Sequence, residues 1–230
     1  MNDITPNHAA EIMTTLESAY GPRQPIDYDS IGAAYLAGAK RDAAISYWES
    51  VCPSDLQQSD WQHPRLTPYR APIAAILGHG CGAKGILATG PTGRGKTRAM
   101  WQLMRRLAVD EGNDVRCWHS TDFFSMLQSQ INYGRDDAAG WVEAVARRKI
   151  VFIDDLGQEA LTQARTDWAQ GWFFRFLDIR VGEKLPLYVT TNMRGEDMAE
   201  RSAKNNLRSD PLIRRLLDLC DVVKFENVRA

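Results

Sequence analysis

Gly90-Pro91-Thr92-Gly93-Arg94-Gly95-Lys96-Thr97 spells G-x-x-x-x-G-K-[ST], the pattern of a phosphate-binding loop. The pattern carries meaning only between a strand and a helix, and the flanking residues supply both. Gly85-Ile86-Leu87-Ala88-Thr89 is a short apolar run suited to a buried parallel strand. From Arg98 to Ala108 the apolar residues Met100, Leu103, Met104 and Leu107 fall at helical spacing. Glycines at 90, 93 and 95 let the backbone turn so that its N–H groups face phosphate oxygens at the positive end of the helix dipole. In that setting Lys96 is expected to reach the β- and γ-phosphates, and the Thr97 hydroxyl to take a place on Mg2+. The stretch predicts a nucleoside-triphosphate site on an α/β fold.

Outward from the loop, apolar strand candidates at 85–89, 115–119, 150–154, 186–190 and 221–225 alternate with helical stretches. Five strands interleaved with helices imply a parallel sheet covered on both faces. The run Arg148-Lys149-Ile150-Val151-Phe152-Ile153-Asp154-Asp155 ends a central strand on two carboxylates, where open α/β sheets place their ligands. Asp154 is the candidate for holding Mg2+ through its water shell, and Asp155 for orienting or deprotonating an attacking water, with Glu159 as a second base. An Asp pair also begins turns and caps helices. Leu185 to Thr191 forms the next strand candidate and ends on Asn192, whose amide can both donate to and accept from a water beside the γ-phosphate. Further on, Asp210 as N-cap and Pro211 at the first helical position start a helix. Its apolar face reads Leu212, Ile213, Leu216, Leu217 and Leu219, with Arg214, Arg215 and Asp218 opposite. Those arginines suit either a surface ion pair to Asp218 or a cation completing a neighbouring subunit's site.

Composition limits the alternatives. The chain has 230 residues, 44% hydrophobic and 25% charged, enough for one such core with a smaller extension. No apolar run approaches the roughly 20 residues of a membrane span, and Met1-Asn2-Asp3-Ile4 lacks the features of a secretion signal. Cys52, Cys81, Cys117 and Cys220 are scattered without a C-x-x-C, which suits a reducing cytoplasm and points to no zinc site or disulfide framework. A net charge of −1 excludes a chain that binds nucleic acid as a whole polycation. The segment Arg194 to Arg215 holds six basic residues (Arg194, Arg201, Lys204, Arg208, Arg214, Arg215) against four acidic ones (Glu196, Asp197, Glu200, Asp210), a modest local excess. A second glycine pattern, Gly80-Cys81-Gly82-Ala83-Lys84-Gly85, precedes a strand instead of following one, so it reads as a loop after a helix near Pro72–Gly78.

The N-terminal third is different in kind. Helical patterns at 8–19 and 31–49 flank the turn-forming Gly21-Pro22-Arg23-Gln24-Pro25, and Ile31, Tyr35, Ala39, Ala43 and Tyr47 recur at intervals of four. From Cys52 to Pro72, prolines at 53, 64, 68 and 72 among polar residues read as a linker. Two short helices bury little surface alone, so this part is expected to dock on the core or on a partner. The expected division is a helical N-terminal partner-binding region and linker at 1–68 and an ATPase domain at 69–230.

The order GPTGRGKT (90–97), IVFIDDLG (150–157), YVTTN (188–192) and DPLIRRL (210–216) resembles the AAA+ ATPases, and among them the DnaC-type helicase loaders and IstB-type transposition helpers. The resemblance covers residues 85 to 225. It implies an AAA+ P-loop core that binds and slowly hydrolyses ATP with Mg2+, in an assembly- or DNA-dependent way. Carried over, residues 90–97 bind the nucleotide, Thr97 and Asp154 the metal, and Asp155 and Asn192 serve the chemistry. Arg215, with Arg214 second, reaches across a subunit boundary. It also implies an ATP-dependent homo-oligomer, weak single-stranded DNA binding, and a replicative helicase or a transposase as partner of the N-terminal region. The chain ends soon after its last strand candidate, so the helical lid of most AAA+ proteins is not expected, a shortness the loader branch shares. Nothing matches the cysteine-rich zinc module that some loaders carry. A P-loop small-molecule kinase is the other enzyme class of this length, with Arg194, Arg201, Lys204 and Arg208 imitating a phosphate lid.

Overall fold

The computed structural model describes residues 14–15, 27–58, 61–157, 167–193 and 211–226. The expected features at Arg194–Asp210, Glu159 and most of 8–19 lie outside these residues. Chain contacts divide the protein into two compact units, Met1–Ala39 and Lys40–Ala230. In the larger unit five strands form one parallel sheet in the order β2-β3-β4-β1-β5: β1 Gly85–Thr89, β2 Val115–His119, β3 Ile150–Asp154, β4 Leu187–Thr191 and β5 Cys220–Lys224. The expected strands therefore stand within a residue of their observed bounds. β4 lies between β1 and β3, so the strand before the glycine loop and the strand before Asp155 are separated by the strand that leads into Asn192. Among the described residues no helix is long and apolar enough to cross a membrane.

Alternation along the strands builds two hydrophobic layers. Ile86, Ala88, Ile150, Phe152 and Tyr188 face one side, where they meet Ile76, Met100, Leu103 and Leu107. Leu87, Val151, Ile153, Leu187 and Val189 face the other and meet Phe123, Val142, Phe173, Phe176 and Leu216. The first side carries α3 (Arg70–Leu77) and α4 (Lys96–Arg105), and the second carries α5 (Ser120–Tyr133), α6 (Arg135–Ala146), α7 (Asp167–Glu183) and α8 (Pro211–Leu219). On α8 the buried residues are Leu212, Ile213, Leu216 and Leu219, while Leu217 is 42% exposed. Leu217 sits about 100° round the helix from Leu216 and falls off the stripe.

The N-terminal helix α1 spans Tyr28–Val51, longer than the expected 31–49. Its residues in the core are Ala44, Ile45, Trp48 and Val51, with Trp48 only 5% exposed; Ala43 and Tyr35 are exposed. A strict four-residue repeat drifts off a helix of 3.6 residues per turn, so the expected stripe leaves the buried side. Of the described residues between Cys52 and Pro72, Cys52 and Leu66 are buried and most others are exposed. The stretch forms α2 (Ser54–Gln57), a 3₁₀ turn at Pro64–Tyr69 and the first turn of α3, with Leu66 8% exposed in the core. Pro53 and Pro64 stand at helix starts, where a missing N–H costs little, and Pro72 lies in the first turn of α3, while Pro68 sits inside the 3₁₀ turn. Tyr47 meets the edge strand: the Cys117 N–H donates to its hydroxyl oxygen at 3.0 Å.

Candidate functional site

A cleft of about 450 Å3 opens at the C-terminal ends of β1, β3 and β4. It is lined by residues Thr92 to Arg98 together with His119, Asp154, Asp155, Thr190 and Asn192, and by Leu56 and Leu66 on one wall. The position is where strand order reverses in an open α/β sheet. The loop before α4 needs its glycines. Gly90 has φ 127°, and a Cβ there would stand 2.5 Å from the Phe225 carbonyl oxygen. Gly95 has φ 89°, and a Cβ there would meet the Leu66 side chain at 2.9 Å. The left-handed φ is open to glycine at little cost, and the close approach seats the loop between β5 and the 3₁₀ turn.

Lys96 begins α4 and is 5% exposed. Its ammonium donates to the Gly90 carbonyl at 2.7 Å, the Pro91 carbonyl at 2.8 Å and Asn192 Oδ1 at 3.2 Å, which uses its three donors. Burial pushes its pKa down to about 8, against the pull of Asp155 and Asp154. Lys96 is not the sole cation of the cradle, since Arg94 and Arg98 line the cleft as well. Arg94 lies over the Tyr69 ring at 5.1 Å, and Arg98 donates to the Gln58 carbonyl at 2.7 Å.

Asp154 ends β3 at 4% exposure. The Thr190 hydroxyl donates to its Oδ1 at 2.5 Å and the Trp101 indole to its Oδ2 at 3.2 Å. Burial raises its pKa, while hydrogen bonds from Thr190, Trp101 and Thr97 hold it down. A buried carboxylate whose direct donors are neutral, with a hydroxyl beside it, is a hard-oxygen set that fits Mg2+ alongside phosphate oxygens and water. Asp155 turns away with φ 52°, a left-handed conformation that Asp tolerates better than most residues. Its backbone is pinned from β4 and from the start of α5: its N–H donates to Thr190 Oγ1 at 2.8 Å, and the Ser120 hydroxyl donates to its carbonyl at 2.7 Å. Its carboxylate accepts from Asn192 Nδ2 at 2.7 Å. The Asn192 amide thus joins Lys96 to Asp155 across the cleft.

The structure brings together residues 90–97, Asp154, Asp155 and Asn192, which lie as far as 102 positions apart in sequence. It does not bring Arg214 or Arg215 into the cleft. Arg215 pairs through Nε and Nη2 with the Asp178 carboxylate on α7, and lies 5.1 Å from the Phe174 ring centre; Arg214 is exposed. The surface pair expected with Asp218 is therefore made with Asp178 instead, because α8 packs against α7. Sequence reasoning passed over Thr190, Trp101 and His119. Thr190 lay inside the quoted YVTTN box, and Trp101 follows Thr97 at the i,i+4 spacing that shares a helix face. His119 ends β2 in register with Asp154, a relation that strand pairing alone reveals.

The model of the IstB-like ATP binding protein family matches residues 75–229. No curated protein sequence matches the chain. A solved structure of the DnaC helicase loader superposes with a TM-score of 0.55 at 15% identity, covering 74% of this chain and 96% of that one. DnaI superposes at 0.50 and 17% identity, covering 75% and 87%. AMPPCP-bound DnaA from Aquifex aeolicus does so at 0.51 and 17%, covering 74% of this chain and 49% of that one. At such identities the likeness is one of fold. The family match takes in the glycine loop, both aspartates, Asn192 and well over half of the 230 residues: the chain belongs to the IstB-like ATP binding protein family and carries the AAA+ fold.

Proposed function

We propose that this protein binds ATP with Mg2+ and hydrolyses it slowly, as an ATP-dependent homo-oligomer, to load or remodel a replicative helicase on single-stranded DNA. The observation that carries the hydrolytic part is the Asn192 amide, which accepts from Lys96 at 3.2 Å and donates to Asp155 at 2.7 Å. Cradle cation, amide and candidate base form one connected set, positioned to act on a water at the terminal phosphate. The N–H groups of residues 90–97 and Lys96 hold the phosphates, Lys96 exchanging one of its present acceptors for a phosphate oxygen. Thr97 and Asp154 hold Mg2+, which offsets charge on the phosphate oxygens. Asp155 orients or deprotonates the water, and Asn192 holds it.

The remaining charge falls to the helix α8 of a neighbouring subunit. Arg214 is exposed for that role, whereas Arg215 must first leave Asp178. DNA contact is weak and salt-dependent, strengthening on assembly. The partner is engaged through the N-terminal region, residues 1–68, and the free cysteines Cys52, Cys81, Cys117 and Cys220 suit a cytoplasmic protein. A transposase is the other partner to test, given the IstB-like family. Pull-down from the native cell with a replicative helicase or a transposase as the recovered protein separates the two.

ATP turnover measured against protein concentration, with and without single-stranded DNA, tests the activity. Asp155→Asn should keep nucleotide binding and lose about 10²–10⁴ in rate. Wild-type turnover in that variant would move the base elsewhere, with Glu159 next. Turnover independent of concentration, and indifferent to both Arg214→Ala and Arg215→Ala, would remove the contribution between subunits and favour a self-contained kinase.

A further inference from the structure

Trp101 stands on α4 one turn beyond Thr97, and its indole N–H donates to Asp154 Oδ2 at 3.2 Å. The ring is 3% exposed and packs edge-on against Phe152, with centroids 5.3 Å apart and planes at 80°. Phe152 lies two residues before Asp154 on β3, so one strand supplies both the surface that holds the ring and the carboxylate that takes its proton donor. The backbone is fixed too: the Trp48 indole on α1 donates to the Trp101 carbonyl at 3.3 Å. Next along α4, the Gln102 amide donates to the Leu56 carbonyl at 2.9 Å.

An indole is a donor only. A hydroxyl, amide or imidazole at the same place could reverse its role or titrate, and the Trp101 N–H cannot. A buried indole N–H also needs a partner, and Asp154 is the one it has. Thr190 holds the other carboxylate oxygen at 2.5 Å. The Thr97 hydroxyl donates to the same carboxylate, so three neutral donors set its plane and a lone pair remains for other ligands. We propose that Trp101 is a positioning residue for the metal-holding half of the site: it fixes the Asp154 carboxylate so that its remaining lone pair meets the water shell of a divalent cation. The assignment rests on the reading of the cleft as an ATP–Mg2+ site. Groups that orient a metal ligand in this way typically account for about 10–100-fold in metal affinity.

Trp101→Phe keeps a ring against Phe152 and removes the N–H. Calorimetry of the full chain with a non-hydrolysable ATP analogue, first in EDTA and then over a Mg2+ titration, separates positioning from packing. The variant should bind the analogue without metal as the wild type does, within about twofold, and need about 10–100-fold more Mg2+ to reach its tighter, metal-dependent affinity. An unchanged Mg2+ requirement overturns the assignment, and so does an equal loss with and without metal, which marks a packing role. If the variant does not fold, the wild-type indole N–H resonances serve: one should move when Mg2+ joins the bound analogue while the remaining Trp signals stay. If none moves, the assignment fails. A wild type that binds no analogue, or binds it with no response to Mg2+, overturns the site reading, a result distinct from a responsive wild type matched by its variant.

Discussion

Lys96 lies at the C-terminal ends of the strands and Arg180 at their N-terminal ends, and both are buried cations held by carbonyl oxygens. Arg180 is fully buried on α7; its guanidinium donates to Ala146 at 2.8 Å, Arg148 at 2.9 Å, Lys149 at 3.4 Å, and Pro186. Burial pushes the pKa of Arg180 down to about 10 and that of Lys96 down to about 8. The acceptors differ. Those of Arg180 belong to the end of α6 and the entries to β3 and β4, so its planar fork ties three elements together. Two of the three held by Lys96 belong to its own loop, and its compact ammonium on a flexible stem opens on the cleft. The same chemistry makes a staple at one end of the sheet and a transferable cation at the other.

Four changes would break or sharpen this contrast. Lys96→Ala should cost about 3–5 kcal/mol of ATP affinity, taking calorimetric binding out of range, while the folded state is kept. Retained affinity would end the assignment of Lys96 to the phosphates. Arg180→Met should do the reverse, lowering unfolding free energy by about 2–4 kcal/mol because buried carbonyls lose their donor. Urea denaturation reads it, and an unchanged midpoint would show that the clamp is dispensable.

A pH series sharpens the difference further. Below pH 8 the Lys96 ammonium is charged and ready for phosphate; above it the amine is neutral, and binding must recapture a proton. ATP affinity should therefore fall as pH rises through about 8, by at most about tenfold per unit, with proton uptake seen as buffer-dependent binding heat. Flat affinity from pH 7 to 9.5 would contradict the lowered value. For folding alone the sign is opposite. The unfolded chain binds more protons between about 8 and the ordinary lysine value of 10.5, so this group's contribution to stability rises with pH across that window. The smallest effect belongs to Arg215→Ala, whose partly exposed pair with Asp178 should be worth about 0–1 kcal/mol. A larger loss would make that contact a structural element of α8.

Much of the sheet was legible because glycine loop, apolar runs and terminal carboxylates are local signals, each written within a few residues. The grouping of Lys96, Asp154, Asp155 and Asn192 followed from strand order, which the motif sequence implies. What escaped notice depends on contacts between distant segments. Trp101 reads as one more apolar helical residue until β3 brings Asp154 to its N–H. The Arg215–Asp178 pair joins residues 37 apart through the packing of α8 on α7. Prolines at 53, 64, 68 and 72 read as a linker because the helix-start roles of Pro53, Pro64 and Pro72 depend on the surface that α2, the 3₁₀ turn and α3 cover.

The Tyr47 hydroxyl on the Cys117 N–H has a bearing on how copies of this protein meet one another. An uncovered border strand invites another chain to line up beside it and propagate, the route by which folded proteins become fibrils. Here a newcomer at β2 would have to evict a tyrosine anchored by α1 and lying 5.0 Å from the Arg116 guanidinium. At the opposite border β5 sets Asp221 and Lys224 among its five residues, charges poorly suited to a dry cross-chain stack. Close approach of many copies is thus less hazardous for this molecule than its open sheet suggests.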